Sequence, residues 1–267
     1  MFELLNTAVN HGNEILLKYY RTQSLDISNK TDHQNIVTRA DNESQAAIQE
    51  IIIDLMQKQG KTDVGFIGEE NLYHKGQHMF VIDPLDGTSN FASGIDYFCI
   101  PIAYFRDGEL IAGIVSRPTM HDLYYAEKGK GAFILRRGTK IPLKVTEGNL
   151  KNKVLSIYPE DIALLPQAQR ARIEKMFPLY RSVRSLGAAA LDIAGVAENI
   201  YGASLLTESP HIWDIAASKV ILEEAGGAMY NWDGSNLQID IGSKHTKYAP
   251  ISCHPAQKEE LFSYILD

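Results

Sequence analysis

Cysteine, tryptophan, basic charge and long apolar runs are all scarce in this chain. Cys99 and Cys253 are the only cysteines among 267 residues. Both sit in apolar, strand-like runs without metal-ligand spacing, so no disulfide scaffold or thiolate metal site is expected. They read as buried free thiols in a reducing cytoplasm. No segment has the length and apolarity of a membrane span. The stretch Met1 to Arg21 places Leu5, Val9, Ile15, Leu16 and Tyr19 at helical spacing, but Glu3, Asn10, His11, Asn13 and Glu14 interrupt it. That pattern is an amphipathic surface helix, neither a secretion signal nor a membrane span. Lys and Arg number 26 against 33 Asp and Glu, a net charge of −7. This argues against a nucleic-acid backbone as principal partner, since binding one needs clustered cations. A small phosphorylated metabolite stays admissible, because bound metal ions reverse the field of an acidic site. Repeats, low-complexity segments and flexible linkers are absent as well.

What the chain does have is 45% hydrophobic and 22% charged residues, enough for a large core in one compact unit or two small lobes. Asp41 stands where it could cap a long helix whose stripe is Ile48, Ile51, Ile52, Leu55 and Met56, ending at Gln59-Gly60. From Phe98 to about Leu143 short β runs are broken at Arg106-Asp107-Gly108, Gly129-Lys130-Gly131 and Arg136-Arg137-Gly138, which predicts an antiparallel meander. After Lys153 strand-like and helix-like segments alternate: Val154–Tyr158, a helix around Ala168–Phe177, then Gly187–Asn199, Trp213–Ala225 and a last helix after Pro255. A soft boundary falls near residue 150, giving an N-terminal α+β lobe over 1–150 and a C-terminal α/β lobe over 151–267. A site is expected in the crevice between them.

The most informative run is Val81-Ile82-Asp83-Pro84-Leu85-Asp86-Gly87-Thr88-Ser89-Asn90-Phe91. A short apolar strand stops at one carboxylate, a proline turns the backbone, and a second carboxylate comes next beside a glycine and a hydroxyl. Two acidic side chains on one tight turn suit a hard divalent cation. Gly87 lets a ligand approach the backbone, and nearby amides and the Thr88 hydroxyl can meet phosphate oxygens. Pro-Leu-Asp-Gly is also an ordinary turn signal. Its company favours the functional reading: Gly65-Phe66-Ile67-Gly68-Glu69-Glu70 is another apolar stretch ending in acid. Trp213-Asp214-Ile215-Ala216-Ala217 opens a helical pattern that closes at Glu224-Ala225-Gly226-Gly227. Each of three distant segments delivers a carboxylate at an element boundary.

Together with Val37-Thr38-Arg39-Ala40-Asp41, these ordered segments resemble the inositol monophosphatase family of the fructose-bisphosphatase-like superfamily, metal-dependent and lithium-sensitive phosphatases. The resemblance covers essentially the whole chain. It implies a layered α/β/α/β/α sandwich, a homodimer, and an Mg²⁺ enzyme with two or three ions, Mn²⁺ being a substitute. Carboxylate and carbonyl oxygens suit these ions better than zinc. By resemblance Glu69, Asp83 and the Leu85 carbonyl hold one ion, Asp83, Asp86 and Asp214 a second, and a third lies near Glu69. Asp41, Glu69 and Thr88 are the implied catalytic residues, with Thr88 bonded to Asp41 and orienting a water. The Gly87 and Thr88 amides are implied phosphate contacts. Leu85, Asp86, Gly187, Ala188, Ala189, Thr207 and Asp214 complete the implied substrate surface. Such chemistry needs metal: phosphate monoester hydrolysis calls for accelerations up to ~10²¹-fold, and side-chain acid–base catalysis contributes only roughly 10²–10⁴.

Bland alternatives accompany each assignment. Asp41 as a helix cap, Glu69 and Glu70 as solvated acids, and Asp214 as a first-turn acid are all ordinary roles. Lys30 matches a basic loop residue of the family, and His211 and His245 suggest no ligand set. Two positions depart from the inositol-preferring pattern: Thr207 stands where a sugar-binding Glu is usual, with Glu208 beside it, and Ala188 stands where a hydroxyl residue is common. Each lost contact costs on the order of 1 kcal/mol. Three readings therefore remain open. The first is hydrolysis of inositol monophosphate or similar sugar and polyol phosphates. The second is the same chemistry on the 2′-phosphate of NADP or on fructose 1,6-bisphosphate. The third is an RNA- or transcription-associated interaction protein that keeps the phosphatase site.

Overall fold

Helical and strand periodicities in the sequence become five stacked layers in the computed structural model. It describes residues 1–22, 28–29, 36–158, 162–163, 165–207, 210–243 and 245–266, with residues 28, 29, 36 and 37 described by backbone alone. The outer layer is a helix pair, α1 (Phe2–Tyr19) and α2 (Arg39–Lys58), with the small ribbon β1 (Ser28–Asn29) and β2 (Ile36–Val37) between them in the chain. From the expected stripe of α2, Ile48, Ile52 and Met56 are fully buried, while Ile51 and Leu55 pack at the rim.

Beneath lies an eight-stranded sheet. Its strands are β3 (Val64–Gly68), β4 (Leu72–His74), β5 (His78–Ile82), β6 (Ile100–Arg106), β7 (Glu109–Arg117), β8 (Asp122–Glu127), β9 (Ala132–Arg136) and β10 (Thr139–Pro142). Their spatial order is β10-β9-β8-β7-β6-β5-β3-β4. The β6-to-β10 part is the expected antiparallel meander; β5 lies antiparallel to β6, and β3 parallel to β5. Asp107 with Gly108, and Arg137 with Gly138, adopt positive φ in two of its tight turns, the conformation that matches strand twist in short hairpins. Both faces are apolar because alternate residues point to opposite sides: Phe80, Ile82, Ile102 and Ile114 face α1 and α2, whereas Met79, Val81, Ala103 and Val115 face inward.

The inward face meets the middle layer, helices α5 (Ala189–Ala197) and α6 (Ile212–Glu224). Contact is close at Gly113, where an added Cβ would lie 2.5 Å from the Ala217 carbonyl. On the other side of this layer is a five-stranded sheet of β11 (Val154–Ile157), β12 (Ser182–Arg184), β13 (Tyr201–Leu205), β14 (Ala228–Tyr230) and β15 (Ile251–Cys253), in the order β12-β11-β13-β15-β14. Helices α4 (Gln167–Glu174) and α7 (Lys258–Leu266) form the last layer; α3 (Thr88–Ala92) is a short helix beside the first sheet. The expected layered α/β/α/β/α sandwich is the observed architecture. No helix among the described residues is long and apolar enough to cross a membrane. Cys99 and Cys253 are buried free thiols, as their surroundings suggest.

Candidate active site

Strand β5 ends at Ile82, just before Asp83, and its partner strand fixes the acidic turn beyond it. The Asp83 amide donates to the Pro101 carbonyl at 3.2 Å, and Asp86 exchanges two 2.9 Å backbone hydrogen bonds with Cys99. Asp83 Oδ1 accepts from the Leu85 amide at 2.9 Å, and Ser44 Oγ donates to the Pro84 carbonyl at 3.1 Å, closing the turn. Gly87 has φ +89°, and a Cβ there would meet the Tyr97 carbonyl at 2.9 Å. Only glycine suits both the conformation and the close approach.

The second carboxylate, Asp86, reaches across to the middle layer. Its oxygens accept from the Ala190 amide at 2.8 Å and the Ala189 amide at 3.2 Å, with the Cys99 thiol at 3.5 Å. An acid from one segment thus caps a helix that begins a hundred residues later, satisfying amides that have no partner within the helix. Asp214 occupies the first turn of α6, where its carboxylate accepts from the His211 amide at 2.5 Å. Asp83, Asp86 and Asp214 each offer an oxygen, and these oxygens lie within 4.8 Å of one another.

Crowding like charges in a buried place disfavours ionisation. Burial, and then Glu69, Asp214 and Asp86, push Asp83 well above the ordinary carboxylate range. Burial pushes Asp86 to about 7, against the pull of the Ala190 amide and the Cys99 thiol. Asp214 also rises strongly, through burial and then Asp86 and Glu69. None of the leading causes of these shifts is a basic residue. Hard oxygens that favour one another's protonated forms are a donor set that fits a divalent ion.

Asp41 lies beside this cluster, fully buried. Thr38, rather than Asp41, is the N-cap of α2; Asp41 is the third helical residue and completes a capping box. Its Oδ2 accepts from the Thr38 amide at 2.8 Å and the Thr38 hydroxyl at 2.6 Å. The other oxygen stands 3.3 Å from Thr88 Oγ1, whose nearer acceptor is the Leu85 carbonyl at 2.9 Å. Burial lifts Asp41 to about 6, Thr38 pulls against the rise, and Glu69 and Glu70 add to it. Capping and a place in the site therefore coexist in one residue.

Glu69 comes directly after β3, half-buried, and acts on Asp41, Asp83 and Asp214 through its charge. It lies outside the close trio. Glu70 is half-buried rather than simply solvated, and its backbone is held on both sides by Gln45, at 3.0 and 3.2 Å. Sequence reasoning misses Gln45, although its place on the helix stripe one turn after Asp41 is a usable signal. It also misses Asn90. The Asn90 amide donates to the Tyr97 carbonyl at 2.7 Å and the Leu186 carbonyl at 2.6 Å, tying the acidic turn to the loop before α5.

A cavity of about 450 Å³ opens over these residues, with Asp86 and Asp214 in its wall together with Asn90, Tyr158, Gly187 and Ala189. Ala188 is fully buried as the N-cap of α5, so at this position the wall is made by Ala189. Thr207 is half-buried after β13. The His211 ring stacks on Trp213 at 4.6 Å and His245 is exposed. Lys30 and Glu208 lie outside the described residues.

The inositol monophosphatase family model matches residues 1–265. A Thermotoga maritima protein named fructose-1,6-bisphosphatase/inositol-1-monophosphatase is 32% identical over 223 residues, 84% of this chain and 81% of that protein. A Pasteurella multocida protein named Nus factor SuhB is 30% identical over 250 residues, covering 91% of this chain and 90% of that one. Among solved structures, the Thermotoga maritima IMPase aligns with a TM-score of 0.79 at 28% identity, over 97% of this chain and 94% of the other.

Proposed function

The chain belongs to the inositol monophosphatase family, and from that premise we propose that it is an Mg²⁺-dependent phosphomonoesterase acting on small phosphorylated alcohols. The observation that carries this reading is the meeting of Asp83 and Asp86, from the turn after β5, with Asp214, from the first turn of α6, at one point. By the family pattern, Asp83, Asp86 and Asp214 would hold one ion, Glu69, Asp83 and the Leu85 carbonyl another, and Glu69 a third and weaker one. When bound, such ions supply neutralisation of the phosphate oxygens and acidification of a water.

The chain's own groups do the orienting. A carbonyl has two lone pairs, so Leu85 can accept from Thr88 and still face an ion. Thr88 has one hydroxyl proton and two acceptors within reach, Leu85 and Asp41. With Asp41 ionised, above about pH 6, this hydroxyl can turn its lone pairs to a water and pass a proton toward the carboxylate. The Gly87 and Thr88 amides, on the turn fixed by Cys99, would donate to phosphate oxygens, as the family pattern implies. Asp86, held by the α5 amides, keeps its oxygens in place as charge develops.

Inositol monophosphate and related sugar or polyol phosphates are within this reading, and so are NADP 2′-phosphate and fructose 1,6-bisphosphate. The relative named Nus factor SuhB supports a second reading, an interaction role beside the site. Purified protein incubated with Mg²⁺ and a panel of monoesters should release inorganic phosphate from several of them. Absence of release from all, in a folded sample, would reject the proposal. An Asp86→Asn variant that still captures RNA polymerase or RNA would place the second function apart from the first.

A further inference from the structure

The first amides of α5 hold Asp86, so the place of that helix decides the place of one carboxylate of the trio. Ala190, whose amide makes the shorter of these bonds, accepts at its carbonyl from Ser218 Oγ at 2.8 Å. Ser218 lies one turn beyond Asp214 on α6. Asp192 stands in the first turn of α5, fully buried. Its Oδ1 accepts from the Tyr97 hydroxyl at 2.7 Å and its Oδ2 from the Tyr158 hydroxyl at 2.8 Å. The Tyr201 hydroxyl lies 3.3 Å from that of Tyr97. Tyr97 belongs to the segment that closes the acidic turn: its carbonyl accepts from Asn90 at 2.7 Å, and two residues on, Cys99 pairs with the Asp86 backbone. A circuit therefore runs from the Asp86 carboxylate to the α5 amides, on to Asp192, through the Tyr97 hydroxyl and back by Cys99 to Asp86. Tyr158, directly after β11, ties the same Asp192 carboxylate to the second sheet.

We infer that Asp192 is a positioning residue for Asp86, and through Asp86 for the divalent ion that the trio would hold. The inference rests on the phosphomonoesterase reading of the site. For packing alone, a buried carboxylate whose partners are hydroxyls rather than cations is a poor choice, since an apolar side chain of similar size is easier to bury. What the carboxylate offers is two acceptors in one plane, so a single residue on α5 takes both tyrosines at once. Without it the helix is free to shift against the acidic turn, and the amides at its start then hold the Asp86 oxygens out of place. Groups that orient a metal ligand in this way weigh on metal affinity although they never touch the ion.

The test titrates metal-free protein with Mn²⁺, following the free ion by its electron paramagnetic resonance signal, in wild type, Asp192→Ala, Asp192→Asn and Tyr97→Phe. Asp192→Ala should weaken one of the bound ions by roughly tenfold or more, the usual size for loss of a group that orients a metal ligand. Tyr97→Phe cuts one of the two bonds and should weaken the same ion by about three- to fivefold, the worth of a single neutral hydrogen bond. Asp192→Asn keeps the shape and can still bond both hydroxyls, one as acceptor and one as donor, so its constant should stay within about twofold of wild type. A merely structural role would lower the urea midpoint and the fraction of protein that binds, and would leave the dissociation constant alone. An Asp192→Asn constant as weak as that of Asp192→Ala would show that charge rather than position carries the effect, and would overturn the inference. A Tyr97→Phe constant equal to wild type would overturn it too, even where Asp192→Ala does not fold. Wild type that binds no Mn²⁺ would instead remove the reading on which the inference rests.

Discussion

In the proposed reaction, Thr88 is the residue through which the acid–base chemistry would run. Its hydroxyl lies 2.9 Å from a carbonyl and 3.3 Å from a buried carboxylate, so one rotation changes what its lone pairs face. Thr88→Ala should lower kcat by roughly 10²–10⁴, the usual size of a lost general acid–base contribution, with little change in KM. Thr88→Ser should keep most of the rate. Steady-state kinetics on any accepted monoester decides this, and an unchanged kcat in Thr88→Ala would remove the Asp41–Thr88 pair from the chemistry. Neighbouring roles are unequally legible from sequence. Asp83, Asp86 and Asp214 stand at element ends in a spacing that points to an ion, and they converge in the fold. Asp41 offers a helix-cap signal that is displaced by one turn, because the reciprocal bonds with Thr38 make Thr38 the cap. Gln45 and Asn90 are harder to single out, since an amide side chain is equally common on any polar surface. Their importance comes from which backbone groups the fold brings to them.

At the scale of elements, the helices and the meander follow from periodicity, while the pairing of distant segments does not. Turn signals between Phe98 and Leu143 specify hairpins, because each turn and its register are local. The parallel neighbour β3–β5 and the five-stranded order β12-β11-β13-β15-β14 depend on crossovers whose contacts are far apart in sequence. Nor does any local pattern announce that the first amides of α5 close on Asp86. What allows the middle helices to lie so near the first sheet is small residues at the contact, above all Gly113 against Ala217. Gly113→Ala would force the helix from the strand, and overpacking of this kind costs about 1–3 kcal/mol. A lowered urea midpoint with an unchanged m-value is the expected outcome. A midpoint equal to wild type would show that α6 does not sit so closely on β7.

For the whole molecule, the sandwich brings together acids that repel one another, so stability and metal binding are linked through pH. Asp41, Asp83, Asp86 and Asp214 all have folded values raised above the ordinary carboxylate value of 3.8. The folded state therefore binds more protons than the unfolded one from about pH 4 upward. By linkage, stability falls as pH rises through that window to about 7, where Asp86 titrates, and the raised Asp83 and Asp214 add to the loss in the same direction. A divalent ion held by the ionised forms, as proposed, would reverse the loss. The most direct measurement follows the thermal midpoint of metal-free protein as Mg²⁺ is added at pH 5 and at pH 8, for wild type and Asp214→Asn. Wild type at pH 8 should rise by several degrees: an ion at a hundred times its Kd adds about 2.7 kcal/mol, and each kcal/mol moves a chain of this size by roughly 2–4 °C. The rise should be much smaller at pH 5, and small in Asp214→Asn, which should also start from a higher metal-free midpoint at pH 8. A wild-type midpoint that ignores Mg²⁺ at pH 8, or an Asp214→Asn response equal to that of wild type, would contradict a metal centre built from Asp83, Asp86 and Asp214.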